Sequence, residues 1–466
     1  MSIRAARLSL LILFCMGCGS ETSEPRPSFS IDQLRDPESC KECHGTHYTE
    51  WSGSMHAYAS YDPVFLAMNQ RGQRETGGAL GDFCVQCHAP MALRLGLTTD
   101  GLNLPDLPAE VQGITCYFCH SVDAVEGTHN NPLRLADDGV MRGGYRDPTP
   151  NTAHRSAYSP LLDRKDIRSA DLCGSCHDIV NQAGVHLEQT FSEWKASLFA
   201  HETPGEQQTC GSCHTKGRDG VAADVEGVPL RRVHSHLMVG VDTALTPFPE
   251  MDSQAARIQR ELNFTVSAQL CVRTVEGRHE IEVILENIGA GHSWPSGATQ
   301  DRRAWVEVIA YGDDGDVVFE SGVLSDEEPL VDLVDENLWR FGSQGYGDND
   351  EPVHHFWEIT RVESNLLPAP TENFVTKPGF IDVHRRRHYR YDGAPPAAVA
   401  MRVRVRAVGL DVLDDLIESG DLDASYRGLI PTYDLGFTRM EWSLEDNSEC
   451  IPVDHMDRFG TNTRDD

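Results

Sequence analysis

Apolar and polar residues alternate with a period of two in several short runs of the C-terminal half. Such alternation predicts β-strands that bury one face, and glycine and aspartate turns, as at 312–315, separate the runs. We therefore predict a β-sandwich over residues 263–452, with one short helix at 411–418. The runs that predict strands are 264–270, 280–286, 304–309, 317–319 and 401–408.

Residues 36–245 have a different pattern, rich in glycine, proline and histidine and with few long apolar-periodic stretches. Short helices are expected at 63–69 and 191–200, joined by long loops. The predicted fold class is thus α+β: a loop-rich, mainly α N-terminal domain followed by a β-sandwich. Residues 246–262 are expected to link the two domains, and residues 453–466 to form a tail.

Five copies of Cys-x-x-Cys-His lie within the N-terminal region, and a short helical segment is expected through each. This is the attachment signature of c-type haem, in which two thiols bond to the porphyrin and the histidine binds the iron as proximal ligand. The sequence therefore predicts a five-haem domain at 36–245, packed around its haem c groups. The motif residues are Cys40, Cys43 and His44; Cys84, Cys87 and His88; Cys116, Cys119 and His120; Cys173, Cys176 and His177; Cys210, Cys213 and His214.

Zinc binding, structural disulfides or a thioredoxin-like redox site are the alternatives for a single Cys-x-x-Cys. A zinc ribbon pairs two such motifs and needs no histidine directly after them. A thioredoxin-like motif occurs once, beside a βαβ pattern. Neither explains a histidine at the same place in five copies, so haem is the favoured interpretation.

Net charge and hydropathy restrict the partners. The 466 residues carry 72 acidic and 40 basic side chains, a net charge of −32, and the mean hydropathy is −0.39. Such acidity disfavours nucleic acid and anionic lipid. It suits redox proteins as partners, either other cytochromes or quinol-linked donors, although a merely solvated acidic surface explains it equally well.

The N-terminus has the pattern of an export signal over residues 1–18. Arg4 and Arg7 precede an apolar run too short to cross a bilayer. Gly17 and Cys18 resemble a lipoprotein cleavage site with Cys18 as the lipidated residue, and ordinary cleavage is the alternative. With a flexible linker at 19–35, the expected location is the periplasm or outer membrane, and a lipid anchor is the expected membrane contact.

Two cysteines remain outside the motifs and the leader. Cys271 lies in the first predicted strand of the β-sandwich, and Cys450 follows its last strand. A disulfide between them would join the two ends of this domain, and disulfides persist in the exported environment that haem attachment implies. Two free buried thiols are the alternative.

A second axial ligand for each iron has to come from elsewhere in the chain. A histidine there gives a low-spin electron-transfer haem, whereas an open position permits substrate binding. Beyond the five motif histidines, fifteen of the 20 histidines remain, and His186 and His201 are possible ligands. The stronger candidates, chosen from their local sequence, are His56, His129, His154, His234, His236 and His292, the last in a Gly/Pro-framed loop of the β-domain.

A Glu-Trp-x-x-Ser element follows the first motif at 50–54 and recurs after the fourth motif at 193–197. Ordinary helix packing of the two tryptophans explains it, as does packing against a porphyrin.

The sequence resembles the multihaem (cytochrome c-554-like) family typified by the tetrahaem electron acceptor of hydroxylamine oxidoreductase. The resemblance rests on 40–56, 84–91 and 113–120, and the segments 173–197 and 291–297 are similar to forms common in bacterial multihaem relatives. It covers most of residues 36–410. It implies closely stacked haems with bis-histidine ligation for most of them, and, by analogy with the tetrahaem relative, one five-coordinate haem.

Electron transfer through five covalently bound haems in the bacterial cell envelope is the leading functional hypothesis. One alternative is a haem-based oxidoreductase that reduces a nitrogen or sulfur oxyanion at an open haem. The five proximal histidines argue against similarity to pentahaem nitrite reductases, which have a lysine at one of these positions. The other alternative is self-association into a cytochrome filament.

Overall fold

The computed structural model describes residues 28–200, 207–371, 384–446 and 448–451. The predicted signal segment with Cys18, the beginning of the linker, His201 and the tail lie outside the described residues.

Short helices separated by loops make up most of the N-terminal region. The longest of its first ten, α4, begins after Asp62, whose carboxylate accepts a hydrogen bond from the Val64 N–H at 2.9 Å. It continues six residues beyond the predicted end at 69. The ten helices are α1 Ile31–Arg35, α2 Gly45–Ser52, α3 Met55–Tyr58, α4 Pro63–Glu75, α5 Val85–His88, α6 Pro90–Arg94, α7 Cys116–Ser121, α8 Ser169–His177, α9 Thr190–Lys195 and α10 Cys210–His214.

The predicted helix at 191–200 is divided in two. Helix α9 is followed by a separate 3-10 turn at Leu198–Ala200. Between them, the Ser197 hydroxyl donates to the Trp194 carbonyl and accepts from the Phe199 N–H, so the side chain replaces backbone bonds of a continuing helix.

Four two-stranded sheets accompany these helices, and the sequence analysis did not predict them. Each consists of strands that are close in the sequence, so each is a local ribbon: three lie between motifs, and the fourth follows the fifth motif. The pairs are β1 Val122–Val125 with β2 Leu133–Leu135, β3 Val140–Gly143 with β4 Arg155–Tyr158, β5 Asp178–Val180 with β6 His186–Gln189, and β7 Gly217–Val221 with β8 Leu230–His234.

Two larger sheets form the C-terminal region. One has four strands in the order β16-β10-β9-β20, and the other has eight around β14-β13-β11-β17-β18. The strands are β9 Val266–Val275, β10 Arg278–Asn287, β11 Arg303–Tyr311, β12 Val317–Ser321, β13 Trp339–Tyr346, β14 Pro352–Val353, β15 Arg361–Asn365, β16 His384–Tyr391, β17 Ala398–Arg406, β18 Thr432–Asp434, β19 Met440–Ser443 and β20 Cys450–Ile451.

One apolar core lies between these two sheets. Alternate residues of β9 and β10, such as Leu270 and Val283, meet alternate residues of β11 and β17, such as Val306 and Val403. All four are fully buried, which is the arrangement expected of a β-sandwich. The α+β class is confirmed, and all five predicted strands are present, most of them longer than the runs that predicted them.

The stretch 246–262 contains helix α11 (Met251–Leu262), although it was expected to be a linker. Ile258 and Leu262 enter the β-sandwich core. One turn before Ile258, the Gln254 amide donates to the Gly53 carbonyl at 3.0 Å. The helix therefore packs against both regions. Helix α12 (Leu410–Glu418) confirms the predicted helix near the end.

Cys271 and Cys450 face each other as register partners on the neighbouring strands β9 and β20. Their sulfur atoms are 2.07 Å apart.

None of the helices in the described ranges combines the length and apolarity that crossing a bilayer requires.

Candidate haem-binding region

Each motif is held by a short helical turn. Cys40 ends a 3-10 turn and His44 precedes α2, whereas the other four motifs lie on α5, α7, α8 and α10. The third and fifth motifs begin in the same way: the hydroxyls of Thr115 and Thr209 each accept a hydrogen bond at 3.3 Å from the N–H three residues on. These caps stabilise the turn that presents the thiols and the imidazole together.

Backbone carbonyls fix the orientation of four motif histidines. Each imidazole Nδ1 lies at hydrogen-bond distance from a carbonyl oxygen. An Nδ1–H that donates there leaves the Nε2 lone pair free to bind iron. The partners are Ala222 for His44 at 2.7 Å, Ala59 for His88 at 3.0 Å, Arg142 for His120 at 2.5 Å and Val239 for His214 at 2.9 Å.

Three motif histidines face a second histidine at nearly one distance. The ring centroids are 6.2 Å apart for His44 and His154, 6.3 Å for His120 and His236, and 6.2 Å for His177 and His56. A metal–imidazole bond of about 2 Å puts two rings on opposite sides of one ion roughly 6 Å apart. The chain therefore fits haem at these motifs: it offers two thiols and two facing imidazoles.

The candidate distal histidines, including His292, are also oriented by the groups around them. Nδ1 of His154, His236 and His292 can donate to the carbonyls of Arg155 at 3.1 Å, His234 at 3.1 Å and Ser293 at 2.8 Å. Nδ1 of His56 instead faces the Met238 sulfur at 2.7 Å.

Burial keeps these imidazoles neutral, the form that binds iron. Desolvation, followed by the neighbouring imidazoles, lowers the pKa of His56 and of His177 to about 4. Desolvation first, and His47 and His120 next, lower the pKa of His236 to about 3. Desolvation likewise lowers the pKa of His292 to about 4, and His214 and His177 are the imidazoles that act on it.

His129 and His234 have other surroundings. The His129 ring lies 6.1 Å from His186 in an edge-on arrangement. Nδ1 of His234 lies 3.2 Å from an Arg164 guanidinium nitrogen. Because a guanidinium can only donate, His234 Nδ1 is the acceptor, and the proton of the neutral ring is on Nε2.

His88 of the second motif has an aromatic neighbour of another kind. The Phe65 ring of helix α4 stacks on it, with centroids 4.0 Å apart and planes within 2°. No histidine pair of about 6 Å involves His88 within the described ranges.

Contacts between cysteines show which motifs are neighbours. Hydrogen bonds join the thiols of Cys116 and Cys40, of Cys87 and Cys176, and of Cys210 and Cys173, and each raises the pKa of the first-named cysteine. Burial, and next the sulfurs of Cys176 and Cys173, raise the pKa of Cys119 to about 12. In space, the first motif therefore lies beside the third, and the third lies beside the fourth. The second and fifth motifs each contact the fourth.

The two Glu-Trp-x-x-Ser elements make equivalent contacts. The indole N–H of Trp51 donates to the Ile114 carbonyl at 2.8 Å, and that of Trp194 donates to the Gln208 carbonyl at 2.9 Å. Each carbonyl lies two residues before a motif, the third or the fifth. Each tryptophan therefore hydrogen-bonds to the chain just before a motif and anchors the start of that motif.

The glutamates of these elements hold the second histidines. Glu50 accepts a hydrogen bond from the backbone N–H of His236 at 3.1 Å. Glu193 accepts one from Ser293, the residue after His292, also at 3.1 Å. Burial raises the pKa of Glu193 to about 7. Each element therefore joins one motif to one candidate distal histidine. The sequence analysis found that the Glu-Trp-x-x-Ser element recurs, but it did not predict this connecting role.

Gly113 allows the third motif to approach the helix that carries His56. Its φ is +64°, and a Cβ there would lie 2.5 Å from the Ala57 carbonyl oxygen and 2.7 Å from that of His56. The next residue, Ile114, donates its N–H to the same His56 carbonyl at 2.9 Å. Any larger residue would separate the two segments.

Comparison with known proteins agrees with these observations. The family described as cytochrome c554 and c-prime matches residues 39–121, which contain the first three motifs. The chain is a multihaem c-type cytochrome. No curated protein matches the cytochrome in sequence.

Among solved structures, the cytochrome is similar to a penta-heme cytochrome c552 from Thermochromatium tepidum. The TM-score is 0.60, and the match covers 88% of this chain and 98% of that chain. At 20% identity this likeness supports the fold of the whole cytochrome, including its β-sandwich.

Proposed function

We propose that all five motifs carry covalent haem c and that the haems form one branched path for electrons in the bacterial cell envelope. Haem iron supplies a one-electron couple, and the protein sets its ligation and surroundings. The thiol contacts that link the first, third and fourth motifs, and the fourth to the second and fifth, support a continuous path.

The three facing histidine pairs carry this proposal. We assign His154 to the first haem, His236 to the third and His56 to the fourth, because each faces the motif histidine at 6.2–6.3 Å. Two imidazoles favour a low-spin iron that changes oxidation state without exchanging ligands, as electron transfer requires.

We assign His292 to the fifth haem. The two Glu-Trp-x-x-Ser elements make equivalent contacts, and this equivalence supports the assignment. The first joins the third motif to His236, which faces His120 of that motif. The second joins the fifth motif to the loop of His292, and His214 of that motif is near enough to His292 to affect its pKa. Because the ligand comes from the same chain, no neighbouring subunit is needed to supply it.

His129 and His234 are the weaker distal candidates. The Arg164 hydrogen bond favours a proton on Nε2 of His234, the nitrogen that would bind iron. The ring of His129 faces His186 rather than a motif histidine.

The second haem supports a second candidate function, reduction of a small oxyanion at an open iron. Phe65, which has no ligating atom, stacks on His88, and His88 belongs to none of the three pairs. An iron with one imidazole keeps a position for a small ligand.

Envelope location, lipidation at Cys18 and a bond between Cys271 and Cys450 are part of the proposal. Covalent haem attachment implies maturation outside the cytoplasm, where a disulfide persists. Redox proteins are the expected partners. Metabolic labelling with a fatty acid, compared with a Cys18→Ser variant, tests the anchor: an unlabelled wild-type protein would contradict it.

Haem stoichiometry and spin state together test the main proposal. The pyridine haemochrome of the purified protein should give five haems per chain. Electron paramagnetic resonance of the ferric protein should show four low-spin centres and one high-spin centre. Fewer than five haems, or several high-spin centres, would contradict the assignments.

A further inference from the structure

Two histidines and a carboxylate converge outside the haem motifs, where helix α4 meets the loop at 354–358 and helix α12. The Nε2 atom of His354 lies 2.8 Å from Oδ2 of Asp415. The Nε2 atom of His355 lies 3.3 Å from the same oxygen. All three atoms are within 4.8 Å of one another, a spacing that one small ion bound at about 2 Å can bridge.

The position of His355 points to an ion between these groups. Its Nδ1–H can donate to Glu358 Oε2 at 3.0 Å, which leaves a lone pair on Nε2 facing the carboxylate oxygen of Asp415. Two electron-rich atoms at this distance repel each other unless a cation lies between them. His355 is 2% exposed, and its Nε2 has no hydrogen-bond partner among the described residues. The contact of this buried Nε2 with Asp415 Oδ2 at 3.3 Å thus lacks hydrogen-bond geometry, and an ion bound to both atoms would satisfy them.

The neighbouring charges fit a divalent cation. Glu358 and Glu75 stand beside Asp415, and Arg71 is the cation among them: it donates to Asp415 Oδ2 and to Glu75 Oε1, both at 2.7 Å. Three carboxylates and one guanidinium leave a net charge of −2, which a divalent ion balances. A hydrogen bond from Arg71 to a ligating carboxylate, and a carboxylate behind a ligating histidine, are usual around metal ions.

We propose that Nε2 of His354, Nε2 of His355 and the Asp415 carboxylate bind one divalent first-row transition ion, for which zinc is the best match. Two imidazoles and one carboxylate suit zinc, with a water as fourth ligand. The proposal is independent of the haem assignments.

The proposed site belongs to the C-terminal region and lies where that region packs on helix α4 of the haem region. Trp357 packs on Gly72 of helix α4, where a Cβ would lie 2.7 Å from the indole ring, and its indole N–H donates to Glu75 at 3.1 Å. Asp415 belongs to helix α12. An ion between Asp415 and the two histidines fixes this loop between both helices.

Equilibrium dialysis of the complete holo-cytochrome against zinc, after treatment with a chelator, tests the site. Metal is measured by mass spectrometry, with haem iron counted in the same sample. We expect one zinc per chain in the wild type and loss of it in His354→Ala and in Asp415→Asn. The asparagine keeps an oxygen that accepts from Arg71, so this variant should keep its fold. His279→Ala, which changes a half-buried histidine on β10 outside this cluster, is the matched control and should keep its zinc.

Heating scans give a second readout. Zinc should raise the Tm of the wild type and of His279→Ala but not that of Asp415→Asn. If the chelator-treated wild type takes up no more zinc than His354→Ala at equal iron content, the site is a hydrogen-bonded cluster and the proposal is wrong.

Discussion

Glu193 accepts a hydrogen bond from the backbone N–H of Ser293 at 3.1 Å. Glu193 is on the helix after the fourth motif, and Ser293 follows His292 in the β-sandwich. Under the proposed ligation, this contact between the two halves of the cytochrome holds a distal histidine in place, as the contact between Glu50 and His236 does within the haem region.

Glu193→Ala should loosen the loop of His292 and leave part of the fifth haem high-spin, because the N–H of Ser293 loses its acceptor. The ferric spectrum and its temperature dependence measure that fraction. Glu193→Gln keeps an acceptor oxygen and should restore most of the low-spin signal. Equal spectra for Glu193→Ala and the wild type would show that the loop is held by other contacts.

His56→Ala should convert one low-spin haem to high-spin, since it removes the imidazole that faces His177 at 6.2 Å. Added imidazole should restore the low-spin signal, which a purely structural defect would not allow. His279→Ala is the control with an unchanged spectrum. A low-spin signal that persists in His56→Ala would mean that another side chain ligates the fourth haem.

Carbon monoxide should bind one haem per chain in the reduced wild type, because no histidine of the described residues faces His88 of the second motif at the roughly 6 Å that an iron between two imidazoles requires. Titration followed by the Soret absorption gives the stoichiometry. His56→Ala should bind two. No binding by the wild type would show that the second haem has a distal ligand and would exclude the oxyanion-reductase alternative at that haem.

Glu280→Gln should destabilise the β-sandwich at neutral pH by about 1–2 kcal/mol. Burial raises the pKa of Glu280, but hydrogen bonds from Arg390, Arg273 and His388 outweigh it and lower the pKa to about 2. An unfolded glutamate has a pKa of about 4.3. The stabilisation is therefore complete above about pH 5 and is lost as the pH falls towards 2.

Urea unfolding, followed by circular dichroism at several pH values, measures this difference. It should shrink with acidification, whereas Glu320→Gln at an exposed position of β12 should match the wild type throughout. A difference that does not depend on pH would assign the effect to packing rather than to charge.

Replacing both Cys271 and Cys450 by serine should lower the free energy of unfolding by up to about 5 kcal/mol on the chain-entropy model, because the residues are 179 apart in sequence. Denaturant unfolding measures it, and haem spectra should not change. A thiol reductant should weaken the wild type but not the variant. Equal stability of the two proteins would mean that the cysteines are not bonded.

Much of the sheet structure could be predicted from the sequence, since inward and outward residues alternate on strands such as β17. Strand β16 could not, because arginines fill half of its eight positions and only Tyr389 and Tyr391 supply buried aromatic rings. Its partners Glu280 and Glu282 lie on β10, about a hundred residues earlier. Pairing of charges between distant strands leaves no local signal.

The haem motifs were evident from the sequence, but the choice of facing histidines was not. His44 and His154, or His56 and His177, are more than a hundred residues apart, and the chain between them carries other motifs. Local context selected His56, His154 and His236, which face motif histidines. It also selected His234, whose neighbour Arg164 lies 70 residues earlier in the sequence.

Under the proposed export, the chain is delivered from its N-terminus, so all five motifs would reach the envelope before His292. Under the proposed ligation, the fifth haem is attached while its second axial position is still vacant. That position is filled only when β9 and β10 have folded and carried the loop of His292 to Glu193. The spin state of this one haem therefore reports whether the β-sandwich has formed. It distinguishes fully folded molecules from those whose β-sandwich has not yet folded during maturation.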